Sequence, residues 1–369
     1  MSKTSTVYIL VILLFPVFSF AQFAKYSNDF LNIGTDARAM AMANTQVAIV
    51  NDGTAGYWNP AGLAAVKDLP NINLMHAEYF SGIGQYDYGS IAIPIQNNKR
   101  TFGISFLRFG VDDIPNTLNL VDPSGAVNYN NITSFSVADY AVLLSYGQYI
   151  MQTKAKTISF GFNAKIIHQT AGSFANSWGF GFDGGVQMQK GKWQLGIMAK
   201  DVTTTFNAWS FSFTDQEKQE LLNTNNAIPT QSTELTAPSL IVGNAYNFKI
   251  SRLIGLLAEA DLDITFDGKR NTIISSNPVS IAPSIGLEAS LNKVFFVRAG
   301  ITNFQQAFAD GDTLNQKKTW TYQPTVGAGI KIKNVIIDYA FSDLANQSSP
   351  LYTNVFSIKF NLVKKKENH

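Results

Sequence analysis

Three acidic residues, Glu259, Asp261 and Asp263, alternate through the stretch "AEADLDI". A spacing of two sets their carboxylates on one face of a strand, a pattern that can bind calcium or divide acid and base roles. "ADGDT", around Asp310 and Asp312, reads as a solvated loop tip, because no further ligand spacing follows it. Gly179 to Gly184, "GFGFDG", matches the glycine pattern of a dinucleotide loop, but that chemistry requires a strand before it and a helix after it. Here the glycines fall inside an alternating run. The histidines, His76, His168 and His369, are scattered without metal-ligand spacing. No cofactor or metal is expected, and the chain does not read as an enzyme.

The elements that would position these residues are strands. In "KTISFGFNAKI", Ile158, Phe160, Phe162, Ala164 and Ile166 share one face, while Ser159, Gly161, Asn163 and Lys165 share the other. Fourteen such segments follow one another between 71 and 363, most about ten residues long, the length a tilted strand needs to cross a bilayer. Short connections such as 150–155 and 189–192 alternate mostly with long polar ones such as 112–134 and 266–282. That sidedness predicts an all-β, antiparallel transmembrane barrel with its strands at 71–363. A soluble sandwich would alternate too, but would not need strands this long or a second face so rich in glycine. On the barrel reading, Glu259, Asp261 and Asp263 face the lumen with Arg298, Lys331, Lys333, Lys165 and Lys359, and form a structural charge network.

The N-terminus agrees with this placement. Lys3, the apolar run Val7 to Phe18 and the small residues Ser19 and Ala21 form a signal peptide over 1–21, too short to be a membrane span. Absence of cysteine removes any disulfide framework. A net charge of +2 without a basic stripe excludes nucleic acid as a partner. The expected location is the outer membrane, in contact with its lipid, with both termini periplasmic and 364–369 as a periplasmic tail.

A barrel of this size leaks unless something fills it. The segment 22–70, which precedes the first strand, is the expected plug, or hatch. Its alanines, including Ala39 and Ala41, allow close approach to a wall. In "NPAGL", Asn59 can cap a short helix that starts at Pro60 and runs through Ala61, Gly62 and Leu63.

Two blocks carry a family resemblance. Gly34 to Ala64, which holds the "NPAGL" element, and Val326 to Leu344, "VGAGIKIKNVIIDYAFSDL", resemble the PorV/PorQ family, relatives of the FadL-type fatty-acid channels. The resemblance implies a fourteen-stranded barrel with an N-terminal hatch. For PorV-like members it implies work with the type IX secretion translocon of Bacteroidetes, binding signals of exported cargo. For FadL-like members it implies passage of hydrophobic molecules to a lateral opening.

The connection 203–237 stands apart from the other loops. It carries Phe206, Trp209, Phe211 and Phe213, then a capping box from Thr214 to Glu217. Aromatic rings on a predicted extracellular loop either close the mouth or offer a contact to a partner or hydrophobic ligand. The main expectation is therefore a partner subunit in protein export or surface assembly, touching a membrane complex or secreted cargo. The alternative is a channel for hydrophobic small molecules.

Overall fold

A computed structural model describes residues 27–95, 99–120, 125–230, 232–308, 318–342 and 353–362. The signal peptide, the tail 364–369, Asp310, Asp312 and His369 lie outside the described residues.

The strands in chain order are β1 (Asn71–Tyr79), β2 (Gly84–Ile95), β3 (Arg100–Asn116), β4 (Thr133–Gln152), β5 (Lys156–Ala171) and β6 (Ala175–Lys190). Then come β7 (Trp193–Lys200), β8 (Thr205–Phe211), β9 (Ser232–Thr236), β10 (Ser239–Lys249), β11 (Ile254–Thr265) and β12 (Ile274–Ser275). The last are β13 (Ser280–Leu291), β14 (Phe295–Phe308), β15 (Lys318–Ile332), β16 (Val335–Ser342) and β17 (Thr353–Asn361). All pairings are antiparallel, and β1 bonds both β2 and β17, so the sheet closes. β1–β7, β10, β11 and β13–β17 make the fourteen wall strands. Closure leaves no exposed edge, the condition for crossing lipid with strands.

The outer face is apolar around the circumference. Phe102, Phe106, Phe162, Phe182, Val297 and Phe356 are each between 45% and 66% exposed. A belt of that size faces lipid, because water would not tolerate it. No helix among the described residues is long and apolar enough to cross a membrane.

The core lies inside the barrel. Residues 27–70 wind through the lumen as short pieces, with helices at Ala37–Ala41 and Ala55–Trp58 and 3-10 turns at Asp29–Asn32 and Pro60–Ala65. Their apolar side chains, among them Phe30, Tyr57, Trp58 and Leu63, pack with Tyr86, Leu107 and Ile167 from β2, β3 and β5. The described hatch begins on the loop side, where Ser27 and Asn28 bond Asn207 of β8. It leaves at the turn end, where the Leu362 amide donates to the Pro70 carbonyl.

Candidate functional site

The "NPAGL" element seats the hatch. The Asn59 side-chain amide donates to the Val47 carbonyl at 2.9 Å and, more weakly, to the carbonyls of Val186 on β6 (3.3 Å) and Ile197 on β7 (3.4 Å). Its oxygen accepts from the Ala61 amide, capping the turn that Pro60 starts. Opposite it the wall makes its closest approaches at glycines. A Cβ on Gly161 would stand 2.3 Å from the Pro60 carbonyl carbon, and one on Gly196 2.1 Å from the Val47 oxygen. The glycine-rich face is therefore where backbone meets backbone.

The lumen charges divide into two kinds. Glu259 accepts from the Ala48 amide at 2.8 Å, and Asp261 accepts from Gln46 and Val47 at 3.1 and 3.4 Å. These carboxylates hold hatch backbone and do not join the expected cation network. Arg298 does join a network, bridging Glu288 and Asp338 at 2.7 Å each, while Arg38 of the hatch reaches Glu288 at 2.8 Å. Burial works against the Arg38 cation, but Glu288, with Asp52 and Asp36 nearby, holds its pKa above the ordinary value. Lys359 pairs with Asp52 of the hatch. Burial pushes the Asp52 carboxyl up, yet Lys359 and the hydrogen bonds from Thr54 outweigh it and hold it below the ordinary value. Lys331 faces the turn-end mouth, and Lys333 departs from the lumenal expectation. It sits exposed in the β15–β16 turn at φ 54°, where the chain reverses and alternation ends.

Among the described residues the strand pairing of the wall breaks register around Asp201–Thr204, where the Val202 amide still donates to the Phe182 carbonyl of β6 at 2.8 Å. β7 stops at Lys200 and β8 resumes pairing with β6 at Phe206, while Ala237 and Pro238 separate β9 from β10 at the same height. Inward residues are even-numbered in β7 (Gly196, Met198) and odd-numbered in β8 (Thr205, Asn207), so Asp201–Thr204 shift the alternation by one. Asp201 and Thr204 both have positive φ, 55° and 63°, and for a β-branched residue that is a strained conformation. A buried ion cluster enforces it, with Lys165 2.7 Å from Asp183 and 2.5 Å from Asp201. The "GFGFDG" glycines serve this site. Side chains at Gly181 and Gly179 would collide with Thr205 and Asn207, and Asp183 supplies the carboxylate. Spacing does not single out Asp183 and Asp201 as members of this cluster; a lone acid on a glycine-rich lumenal face is the signal for Asp183.

Above the hatch three cavities meet at Asp263, which borders all of them. One of about 220 Å³ runs toward the loops past Thr265, Arg270 and Gln305. Another of about 170 Å³ rests on Tyr57 and Trp58, with Lys200 and Asp261 at its sides. The third, about 40 Å³, reaches Asp201, Ala237 and Pro238 at the break in register, beside Ser27 and Asp29. Asp263 thus sets the three side by side between the loops and the Asp201–Thr204 break.

The aromatic residues of 203–237 belong largely to β8, an element that alternation alone did not reveal. Trp209, Phe211 and Phe213 stack at 6.3 Å centroid spacing, and Phe174 and Phe135 continue the ladder at 5.7 and 5.2 Å. The Trp209 indole N–H is buried without a hydrogen-bond partner. Phe206 points to the opposite face, against Phe180. Thr214 and Glu217 form both bonds of the capping box that opens the helix Asp215–Asn223. Both described histidines are on the outer face. His76 bonds Asp87 at 2.7 Å, and His168 stacks on Trp178. No group of three metal-ligating side chains is present among the described residues.

These features define a transmembrane β-barrel with a segment inside its lumen and a break in strand register at Asp201–Thr204. Among solved structures it is similar to the toluene transporter TodX of Pseudomonas putida, at 14% identity and TM-score 0.56, covering 89% of this chain and 98% of that one. It is similar also to the toluene transporter TbuX of Ralstonia pickettii (12%, 0.54, 89% and 99%) and to the CymD monoaromatic hydrocarbon channel (13%, 0.54, 89% and 97%). At such identities the likeness shows the fold alone. No protein-family model and no curated protein matches the sequence. The comparisons lend nothing to the PorV/PorQ branch of the resemblance or to its setting in Bacteroidetes.

Proposed function

We propose that the protein is an outer-membrane channel that carries small hydrophobic molecules from its loop side to the break in its wall's strand register. The observation that carries this reading is the lumenal cavity that reaches Asp201, Ala237 and Pro238, at the height where two adjacent strands break register together. The hydrocarbon transporters of the same fold support it. The cavity over Tyr57 and Trp58, about 170 Å³, is comparable to an apolar cavity of about 150 Å³ that admits benzene. Its polar sides favour a ring that bears a hydrogen-bonding group. Uptake of labelled benzyl alcohol and toluene should be measured in cells whose outer membrane lacks other hydrocarbon channels. Expression should raise uptake, and Ala237→Trp should lower it again by filling the exit. Uptake no greater than in the empty strain would refute a channel.

The second reading is a partner subunit in protein export, PorV-like, binding a translocon or secreted cargo. The aromatic ladder favours it, since such rings anchor interfaces. Affinity capture from native membranes distinguishes the two readings by whether a stoichiometric protein partner is retained.

A further inference from the structure

A separate cavity of about 390 Å³ opens on the other side of the hatch, at the turn end of the barrel. It shares no lining residue with the three loop-side cavities and does not rest on the transport reading. Its volume falls within the range of small-molecule sites.

The charges around it are only partly matched. Glu288 is held by Arg38 and Arg298, Asp338 by Arg298, and Asp52 by Lys359, which also has Asp36 at 3.6 Å. Each carboxylate is thus already engaged. Lys293 and Lys331 also line the cavity, and neither forms an ion pair among the described residues. They spring from neighbouring points, because the Lys331 amide donates to the Val294 carbonyl at 2.8 Å. Lys331 lies two residues from Gly329 on the same face of β15, and the missing side chain of Gly329 lets Arg298 reach Asp338. Phe296 and Ile336 add apolar surface to the same space.

We propose that this turn-end cavity binds a phosphate monoester or similar dianion, its charge between Lys293 and Lys331 and its organic part against Phe296 and Ile336. Two ammonium groups with no internal partner complement two negative charges, and phosphate oxygens accept their strong, charge-assisted hydrogen bonds. The paired arginines and Lys359 form a fixed wall that keeps the cavity open.

Calorimetric titration of the purified barrel with phenyl phosphate, inorganic phosphate and benzyl alcohol tests this. Phenyl phosphate should bind more tightly than inorganic phosphate, and benzyl alcohol should not compete. The double change Lys293→Gln and Lys331→Gln should weaken phenyl phosphate binding by at least about tenfold. Both residues are exposed and unpaired, so the variant should keep its fold, shown by a heat-dependent shift in gel migration. Unchanged binding in the folded variant, or competition by benzyl alcohol, would overturn the site. Equal affinity for the two phosphates would overturn the apolar seat.

Discussion

Gly185 lies against Asn59 so closely that a Cβ at position 185 would stand 2.0 Å from the Asn59 side-chain oxygen. One strand of the wall therefore has no side chain where the hatch places its capping residue. Gly185→Ala should force Asn59 out of its seat, and the overpacking should cost about 1–3 kcal/mol. Asn59→Ala should cost about 1–2 kcal/mol, by uncapping the Ala61 amide and removing one of the two donors to the Val47 carbonyl, the other being Gln187. Urea unfolding in vesicles measures both. Two variants as stable as the parent would show that the contact does not hold the hatch.

Ala41 stands in the same relation to β15, where a Cβ on Gly327 would come within 2.5 Å of the alanine methyl. Ala41→Leu adds three carbons to a closed space and should loosen the hatch, again at about 1–3 kcal/mol. In planar bilayers the variant should open more often than the parent, and a barrel lacking 23–66 should conduct continuously. Unchanged conductance after that deletion means that the segment is not a plug.

The Asp52–Lys359 pair makes the hatch acid-sensitive. In the unfolded chain a free aspartate side chain titrates at about pH 3.9. The folded value lies below that, so the pair's contribution is complete above about pH 4 and is lost as pH falls through the folded value. Asp52→Asn leaves Lys359 buried with Asp36 alone and should cost about 3 kcal/mol at neutral pH. Its stability should then change less than the parent's between about pH 5 and pH 2. Parallel pH profiles for the two proteins would exclude Asp52 as the titrating group.

The ladder at Trp209 and Phe211 gives a test of partner binding. Both rings sit on the inward face of β8, so Trp209→Ala with Phe211→Ala leaves the lipid-facing surface intact. The variant should still migrate as a heat-modifiable barrel. If a partner docks on the rings, its affinity should fall by at least about tenfold, since each buried ring contributes roughly 1.5–3 kcal/mol. Equal affinity would mean that the ladder only closes the mouth.

The fourteen wall strands were legible in the sequence because lipid imposes a local rule. Every second residue must be apolar for the thickness of the bilayer, as in Ile158 to Ile166, and that rule needs no knowledge of distant chain. The hatch was legible for a related reason, since Asn59, Pro60 and Gly62 constrain their own backbone. β8 and β9 were not, because the alternation slips by one at Asp201–Thr204 and again at Ala237–Pro238, and a period broken twice resembles a loop. The roles of the lumenal acids were hidden differently. Glu259 could be placed inside the barrel from its spacing, but its partner is the Ala48 amide, 211 positions away. A backbone amide has no side-chain identity to read, so only the path of the hatch through the closed barrel decided that this carboxylate holds a plug and not a cation.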